Sequence, residues 1–323
     1  MVPFDDPGDA KHRIVKTMLH ASAAKLRRRA GALCRLGLAL SLLCALPQGG
    51  AAGDEVLRVG SKRFTESLVL AEILVRTAAA GTSARHVPGL GNTAIVFEAL
   101  RQGSIDLYPE YLGTIELEIL KRDKPTGSLE SVNRELAALG LAASIPFGFE
   151  NRYALAIRAG RDDAPALAAI SELAAEPQLR FGLSHEFLGR PDGWPGLRAR
   201  YGLPQRPIGI DHGLAYEALA AGQVDVIDVY TTDAKIGRYP VRVLRDDLEH
   251  FPRYDAVVLH RADVPQRFPQ AWAALEALAG RIDEQRMIAL NGQAELAKRG
   301  FGEIAADFVA GLTPGSGSSA APQ

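Results

Sequence analysis

The strongest constraint on the fold is an internal repeat. Residues 98–114 read EALRQGSIDLYPEYLGT, and 119 positions later residues 217–233 read EALAAGQVDVIDVYTTD. Aligned without gaps, the copies share Glu98/Glu217, Ala99/Ala218, Leu100/Leu219, Gly103/Gly222, Asp106/Asp225 and Tyr111/Tyr230, with Ile105/Val224 and Leu107/Val226 as matched apolar pairs. Val96, Ala99 and Leu100 recur at helical spacing, Gly103 suits the left-handed position that ends a helix, and Ile105 and Leu107 alternate as a strand does. Each copy therefore reads as helix, glycine, strand, with a tyrosine just past the strand. Ligands of open α/β sheets sit beyond the carboxyl ends of strands, so two copies predict two lobes that offer Tyr111 and Tyr230 to a shared cleft. The competing explanation is chance recurrence of a short helix-turn-strand unit.

With 323 residues, 47% of them hydrophobic and 23% charged, the chain has a globular composition and room for one large or two medium domains. Its net charge of -1 makes no electrostatic case for nucleic acid. Lys25, Arg27, Arg28, Arg29 and Arg35 instead precede an apolar run, Leu36 to Leu46, followed by Pro47, Gln48 and GGAAG. That order is a secretory signal with cleavage after Ala52, so residues 1–52 are expected to be a signal peptide, with Met18 as an alternative start. The apolar run is too short to span a bilayer, which predicts a periplasmic protein rather than a membrane-anchored one. Both cysteines, Cys34 and Cys44, lie in this segment, which leaves the mature chain without thiol or disulfide chemistry. Leu33 and Leu43 stand where lipid attachment would need a small residue, so a free protein is expected rather than a lipoprotein.

Along the chain, residues 56–60 form a first strand and SKRFTE turns into a helix reaching about Ala80, with Thr65 as N-cap. Lys62 falls near that helix N-terminus, where anions are favoured. A second strand is expected over Ala84 to Leu90. The following GLGNTA matches the G-x-G-x-x-A of dinucleotide sites, but it follows the second strand rather than the first, so it reads as a tight turn and no cofactor is expected. Ser128 should cap a helix over Leu129 to Leu139 that ends at Gly140. Tyr153, Leu155 and Ile157 share one face of a strand where the chain crosses between lobes, and DAVVL, residues 255–259, returns it. Helices follow over residues 269–279, 283–298 and 303–309, and residues 313–323 are expected to be a disordered tail. Ser184, His185 and Glu186 are adjacent and cannot form a triad, no G-x-S-x-G elbow is present, and His185, His212, His250 and His260 lack metal-ligand spacing. No catalytic or metal-ligating residue is therefore assigned.

These segments together resemble the substrate-binding proteins of osmoprotectant ABC importers, which take up glycine betaine, choline and related quaternary amines. The resemblance spans about Val56 to Leu312 and is carried by VGSKRFTESLVLAEIL, GLGNTAIVFEAL, IDLYPEYLGT, NRYALAIR, EFLGRPDGW, VDVIDVYTTD, FPRYDAVVL and MIALNGQAELAKRG. It implies an α/β fold of the two-lobe type II periplasmic binding protein class, with two interlobe crossings and a ligand cleft between lobes. Lobe I would comprise residues 54–148 and 255–312, and lobe II residues 149–254.

The resemblance also implies the site. A quaternary ammonium has no hydrogen to donate and is held by aromatic faces, each contact contributing about 0.5 to 2 kcal/mol. Tyr111, Tyr153, Tyr230 and Tyr254 stand at the places of the family's aromatic cage. Lys62, Thr114 and Arg190 would take a ligand carboxylate, Arg190 in bidentate fashion unless it pairs with Asp192 to stabilise a turn. Asn92 and Leu112 depart from the family pattern. Asn151 replaces an acid found in some relatives, which favours a zwitterion over a lone cation such as choline. The expected protein is a non-enzymatic, monomeric receptor that delivers a quaternary amine small molecule to the transmembrane subunits of an ABC permease. Ergothioneine, carnitine and choline are alternative solutes, and an exported sensor or enzyme on the same fold is the alternative of another class.

Overall fold

Each copy of the repeat supplies the middle strand of its own five-stranded sheet. The computed structural model describes residues 55–159 and 167–312. The expected signal peptide and C-terminal tail lie outside the described residues. The first sheet contains β1 (Leu57–Gly60), β2 (Ala84–Val87), β3 (Leu107–Tyr111), β4 (Leu141–Ser144) and β10 (Ala256–Arg261), ordered β2-β1-β3-β10-β4. The second contains β5 (Tyr153–Arg158), β6 (Phe181–Ser184), β7 (Ile208–Ile210), β8 (Val226–Tyr230) and β9 (Val241–Val243), ordered β7-β6-β8-β5-β9. In both, the first three strands of the order run parallel and a returning strand pairs antiparallel with the middle one.

The shared residues explain why the two halves fold alike. Gly103 and Gly222 take φ values of 70° and 69°, which only glycine adopts at little cost, and each ends its helix. Those helices are α2 (Thr93–Arg101) and α6 (His212–Ala220). Asp106 accepts the guanidinium of Arg58 through Nε and Nη2, each at 2.9 Å, and Asp225 accepts that of Arg180 at 2.8 and 3.0 Å. The backbone N–H of each arginine donates to the same aspartate. The repeated Gly and Asp are thus turn chemistry that sets each central strand in register, and chance recurrence does not account for that pairing.

Among the described residues, the remaining α-helices longer than four residues are α1 (Thr65–Ala78), α3 (Leu129–Leu136), α4 (His185–Gly189), α5 (Trp194–Tyr201), α7 (Pro269–Glu276), α8 (Glu284–Glu295) and α9 (Phe301–Ala310). Val69, Leu70, Ile73 and Leu74 of α1 are fully buried in one cluster with Leu57 and Val59 of β1. The Ser128 cap and the left-handed Gly140 occur as expected, with Ser128 Oγ accepting from Ser131 N and a 3₁₀ turn over Ala137–Leu139. The cap of α1 differs. Phe64, extended at φ -150° and ψ 157°, takes the cap position, and Thr65 is the first helical residue. No side chain caps this end; Ser67 Oγ instead accepts the Lys62 N–H at 2.8 Å. The extended Phe64 backbone directs its ring toward Tyr111 and Tyr230. The second strand stops at Val87, three residues earlier than expected, where Gly89 turns the chain with φ 59°. The tyrosines of the repeat are the last residues of their strands rather than the first beyond them.

The chain passes from the first sheet to the second between β4 and β5 and returns between β9 and β10. The two connecting segments pair with each other at Glu150 and Asp255. Among the described residues no helix is long and apolar enough to cross a membrane.

Candidate functional site

Strand register, more than sequence spacing, assembles the aromatic residues. Antiparallel β5 and β8 put Tyr153 directly opposite Tyr230, so their rings pack at 5.2 Å between centroids. β10 puts Ala256 opposite Tyr111, and Tyr254, two residues before Ala256, approaches Tyr153 edge-on at 6.0 Å. Phe64 lies between the repeat tyrosines, 6.5 Å from Tyr111 and 5.3 Å from Tyr230. One small cavity, about 350 Å³ of space between atoms, is lined by Lys62, Phe64, Tyr111, Thr114, Asn151, Tyr153, Glu186, Arg190, Tyr230 and Tyr254. All eight residues singled out in the sequence thus border one space. Phe64 and Glu186 complete it.

The polar residues arrive already paired. Lys62 Nζ lies 2.6 Å from Glu110 Oε1 and 5.6 Å from the Tyr111 ring centre. Arg190 donates through Nε and Nη2 to both oxygens of Asp192, at 2.9 and 2.5 Å. Its bidentate fork is therefore taken by the turn ion pair, and Nη1 is the edge left toward the cavity, 3.2 Å from Thr114 Oγ1 and 3.6 Å from Glu186. Burial works against the charge on Asp192, but the Arg190 guanidinium and the Tyr254 hydroxyl, which donates at 2.5 Å, hold its carboxyl below the usual range. Arg190 also lies over the face of Tyr153, 5.5 Å from the ring centre. The ion pair and the ring fix the guanidinium, so that Nη1 is presented in one orientation.

Glu186, dismissed in the sequence as a neighbour of Ser184 and His185, borders the cavity from the first turn of α4, which Ser184 caps. It accepts from Thr93 Oγ1 at 2.6 Å, across the cleft on α2. Burial disfavours its charge, yet Lys62, the Thr93 hydroxyl and Arg190 outweigh that and hold the carboxyl below its usual range. Ser184 itself is engaged with Asp228, donating Oγ–H at 2.7 Å.

Beneath the cage lies Glu66, 2% exposed. Its Oε1 accepts from the Tyr111 hydroxyl at 2.5 Å and Asn151 Nδ2 at 2.9 Å; its Oε2 accepts from Thr232 Oγ1 at 2.6 Å and Asn291 Nδ2 at 2.9 Å. Four donors from β3, the first crossing, the loop after β8 and α8 converge on one carboxyl. Thr232, for which the sequence suggested no role, is one of them. The same loop's Asp233 accepts from Tyr230 N, the Tyr216 hydroxyl and His212 Nε2. His212 stacks on Tyr230 with ring centres 4.2 Å apart. Among the described residues no group of three or more His, Cys, Asp or Glu side chains is placed to hold a metal.

The arrangement offers aromatic faces for a compact cation beside fixed donors. Comparison with known proteins agrees in kind. Residues 55–311 match the family model described as the substrate binding domain of ABC-type glycine betaine transport systems. The chain is 33% identical to a glycine-betaine-binding protein of Pseudomonas aeruginosa, over 85% of this chain and 94% of that one. It is 32% identical over 84% of its length to the ergothioneine transport permease and binding protein EgtU of Helicobacter pylori, of which it spans half. The two-lobe fold recurs in a crystal structure of a glycine betaine/carnitine/choline ABC transporter protein, with TM-score 0.63 and 24% identity over 80% of this chain and 98% of that one. It recurs again in lactococcal OpuAC in its closed form with glycine betaine, at TM-score 0.60 and 11% identity over 80% and 96%. Sequence, two-sheet architecture and matched length agree: the chain belongs to the family of substrate-binding domains of ABC-type glycine betaine transport systems.

Proposed function

We propose that this protein is an extracytoplasmic receptor that captures glycine betaine or a closely related quaternary ammonium solute and delivers it to the transmembrane subunits of an ABC permease. The carrying observation is that Tyr111, Tyr153, Tyr230, Tyr254 and Phe64 line one cavity together with Lys62, Thr114 and Arg190. The trimethylammonium group packs among the rings, where cation-π attraction replaces the hydrogen bonds it cannot make. The carboxylate meets Lys62, Thr114 and Arg190. Residues 54–148 and 255–312 act as one lobe and 149–254 as the other, and a ligand touching both binds the closed form better and shifts the population toward it. The receptor works as a monomer and without catalysis.

Glu186 favours a second reading. Lys62 and Arg190 face three carboxylates, Glu110, Asp192 and Glu186, and Glu186 approaches Arg190 Nη1 from within the cavity. An acid at this place compensates for the amide at Asn151 and would suit a cation lacking a carboxylate. A thermal-shift screen of quaternary amines, followed by calorimetry of glycine betaine against choline, tests both readings, since a ligand of the native state raises its stability. Tighter glycine betaine supports the zwitterion reading, tighter choline the second, and no response to any quaternary amine refutes the receptor assignment.

A further inference from the structure

A carboxyl as buried as Glu66 is ordinarily paired with a cation, because transfer of a lone charge out of water is costly. Among the described residues no Lys, Arg or His nitrogen stands within ion-pair distance of it, and all four of its partners are neutral donors. The four hydrogen bonds favour the charged form, but burial is the larger effect and holds the carboxyl above its usual range. The site therefore contains an acid with two donors on each oxygen and no cation beside it. The shortest of these hydrogen bonds, 2.5 Å, comes from the hydroxyl of Tyr111, a ring of the proposed cage.

We propose that the Glu66 carboxylate is the protein's counter-charge for the ligand's cationic head, transmitted through the Tyr111 phenol. A phenol that donates to a carboxylate gains electron density, so its face attracts a cation more strongly. The cation in turn supplies the positive charge that Glu66 lacks. Because the other donors are Thr232 in the loop after β8, Asn151 on the first crossing and Asn291 on α8, the same carboxylate ties together the elements that must meet when the cleft closes. Glu66 is thus a positioning residue acting through Tyr111, and its expected effect is selective for the charge of the head: it should matter for a trimethylammonium ligand and little for a ligand of the same shape whose head carries no charge.

This inference rests on the receptor reading above and is tested by calorimetry with two ligands. Glycine betaine is compared with its uncharged-head isostere 3,3-dimethylbutanoate, followed by competition, in wild type, Glu66→Gln and Thr232→Val. Glutamine keeps the shape, and Asn291 Oδ1, which has no partner, can accept its amide if the Asn291 amide turns over and gives up its hydrogen bond to Thr232 O. Thr232→Val removes one donor but keeps the charge. Expected is an about tenfold or greater loss of glycine betaine affinity in Glu66→Gln, beside about threefold or less in Thr232→Val, with the isostere less affected than glycine betaine. A loss in Glu66→Gln no greater than in Thr232→Val, or equal loss of both ligands, overturns the proposal and leaves the receptor reading intact. Absence of glycine betaine and every other quaternary amine from wild type overturns both. If melting by circular dichroism shows Glu66→Gln unfolded, Tyr111→Phe carries the comparison: it keeps the ring, deletes the link to Glu66, and is expected to shift selectivity in the same direction, with unchanged selectivity overturning the role of Glu66.

Discussion

His212 makes the most direct electrostatic prediction, because its surroundings oppose one another and the outcome has a sign. The ring is 17% exposed and stacks on the back of Tyr230. Burial disfavours its charged form, but Asp233, touching Nε2 at 3.0 Å, together with Asp228 and Glu295, outweighs burial and pushes the ring up to about 9 from 6.5. A pKa raised on folding means that the native state holds the proton more tightly than the unfolded chain. The resulting stability is fully present below about pH 6.5 and is lost as pH rises through about 9. The shift from 6.5 to about 9 corresponds to about 3 kcal/mol at about 1.4 kcal/mol per unit. Urea unfolding of wild type and His212→Gln at a series of pH values isolates this contribution, because the other titrating groups are common to both proteins. Wild type should exceed the variant most at about pH 6, and the gap should shrink by about 3 kcal/mol by about pH 10. A gap independent of pH would refute the reasoning, and a gap that widens with pH would show that burial, not Asp233, controls the ring.

Three further outcomes are expected. Tyr230→Ala deletes one cage wall, so glycine betaine binding should weaken by about 2- to 30-fold in calorimetry with the fold retained by circular dichroism; wild-type affinity would remove Tyr230 from the cage. Gly113→Ala places a Cβ 2.6 Å from Arg253 O and 2.8 Å from Tyr254 Cδ1, which must displace a cage ring; a loss of about 1 to 3 kcal/mol in stability together with weaker ligand binding is expected, and unchanged melting and affinity would count against the tight approach. Small-angle scattering should show a smaller radius of gyration when a confirmed ligand is added, whereas equal compactness with and without it argues against closure.

The fold was legible where the cause is local. Gly103 and Gly222 announce left-handed turns, Ser128 announces a cap, an alternating face announces β5 and a short apolar run announces β10, because each depends on neighbours within a few positions. The repeat showed that two similar halves exist, since the same Gly and Asp chemistry recurs at the same offsets. The eight residues named from the sequence do border one cavity, but composition and periodicity could not have gathered them; the family resemblance did. Their partners were harder. Arg190 could be read as a bidentate clamp or as a turn pair with Asp192, and only the folded structure decides for the pair, which fills the fork. Phe64 was hidden by the expectation that Thr65 caps α1, and Glu186 by adjacent residues that suggested, and then excluded, a different chemistry.

Glu66 shows where the sequence stops. Its partners Tyr111, Asn151, Thr232 and Asn291 are separated from it by 45 to 225 positions, and no local pattern links them. The sequence by itself determined the two α/β halves, the repeated turns and the aromatic residues at strand ends, because propensity and alternation act over short ranges. The tertiary structure alone decided the register that sets Tyr153 beside Tyr230, the pairing of Lys62 and Arg190 with acids, and the convergence of four donors on a buried carboxyl. Those depend on which strand edges meet and on charges brought together from distant parts of the chain as water is excluded.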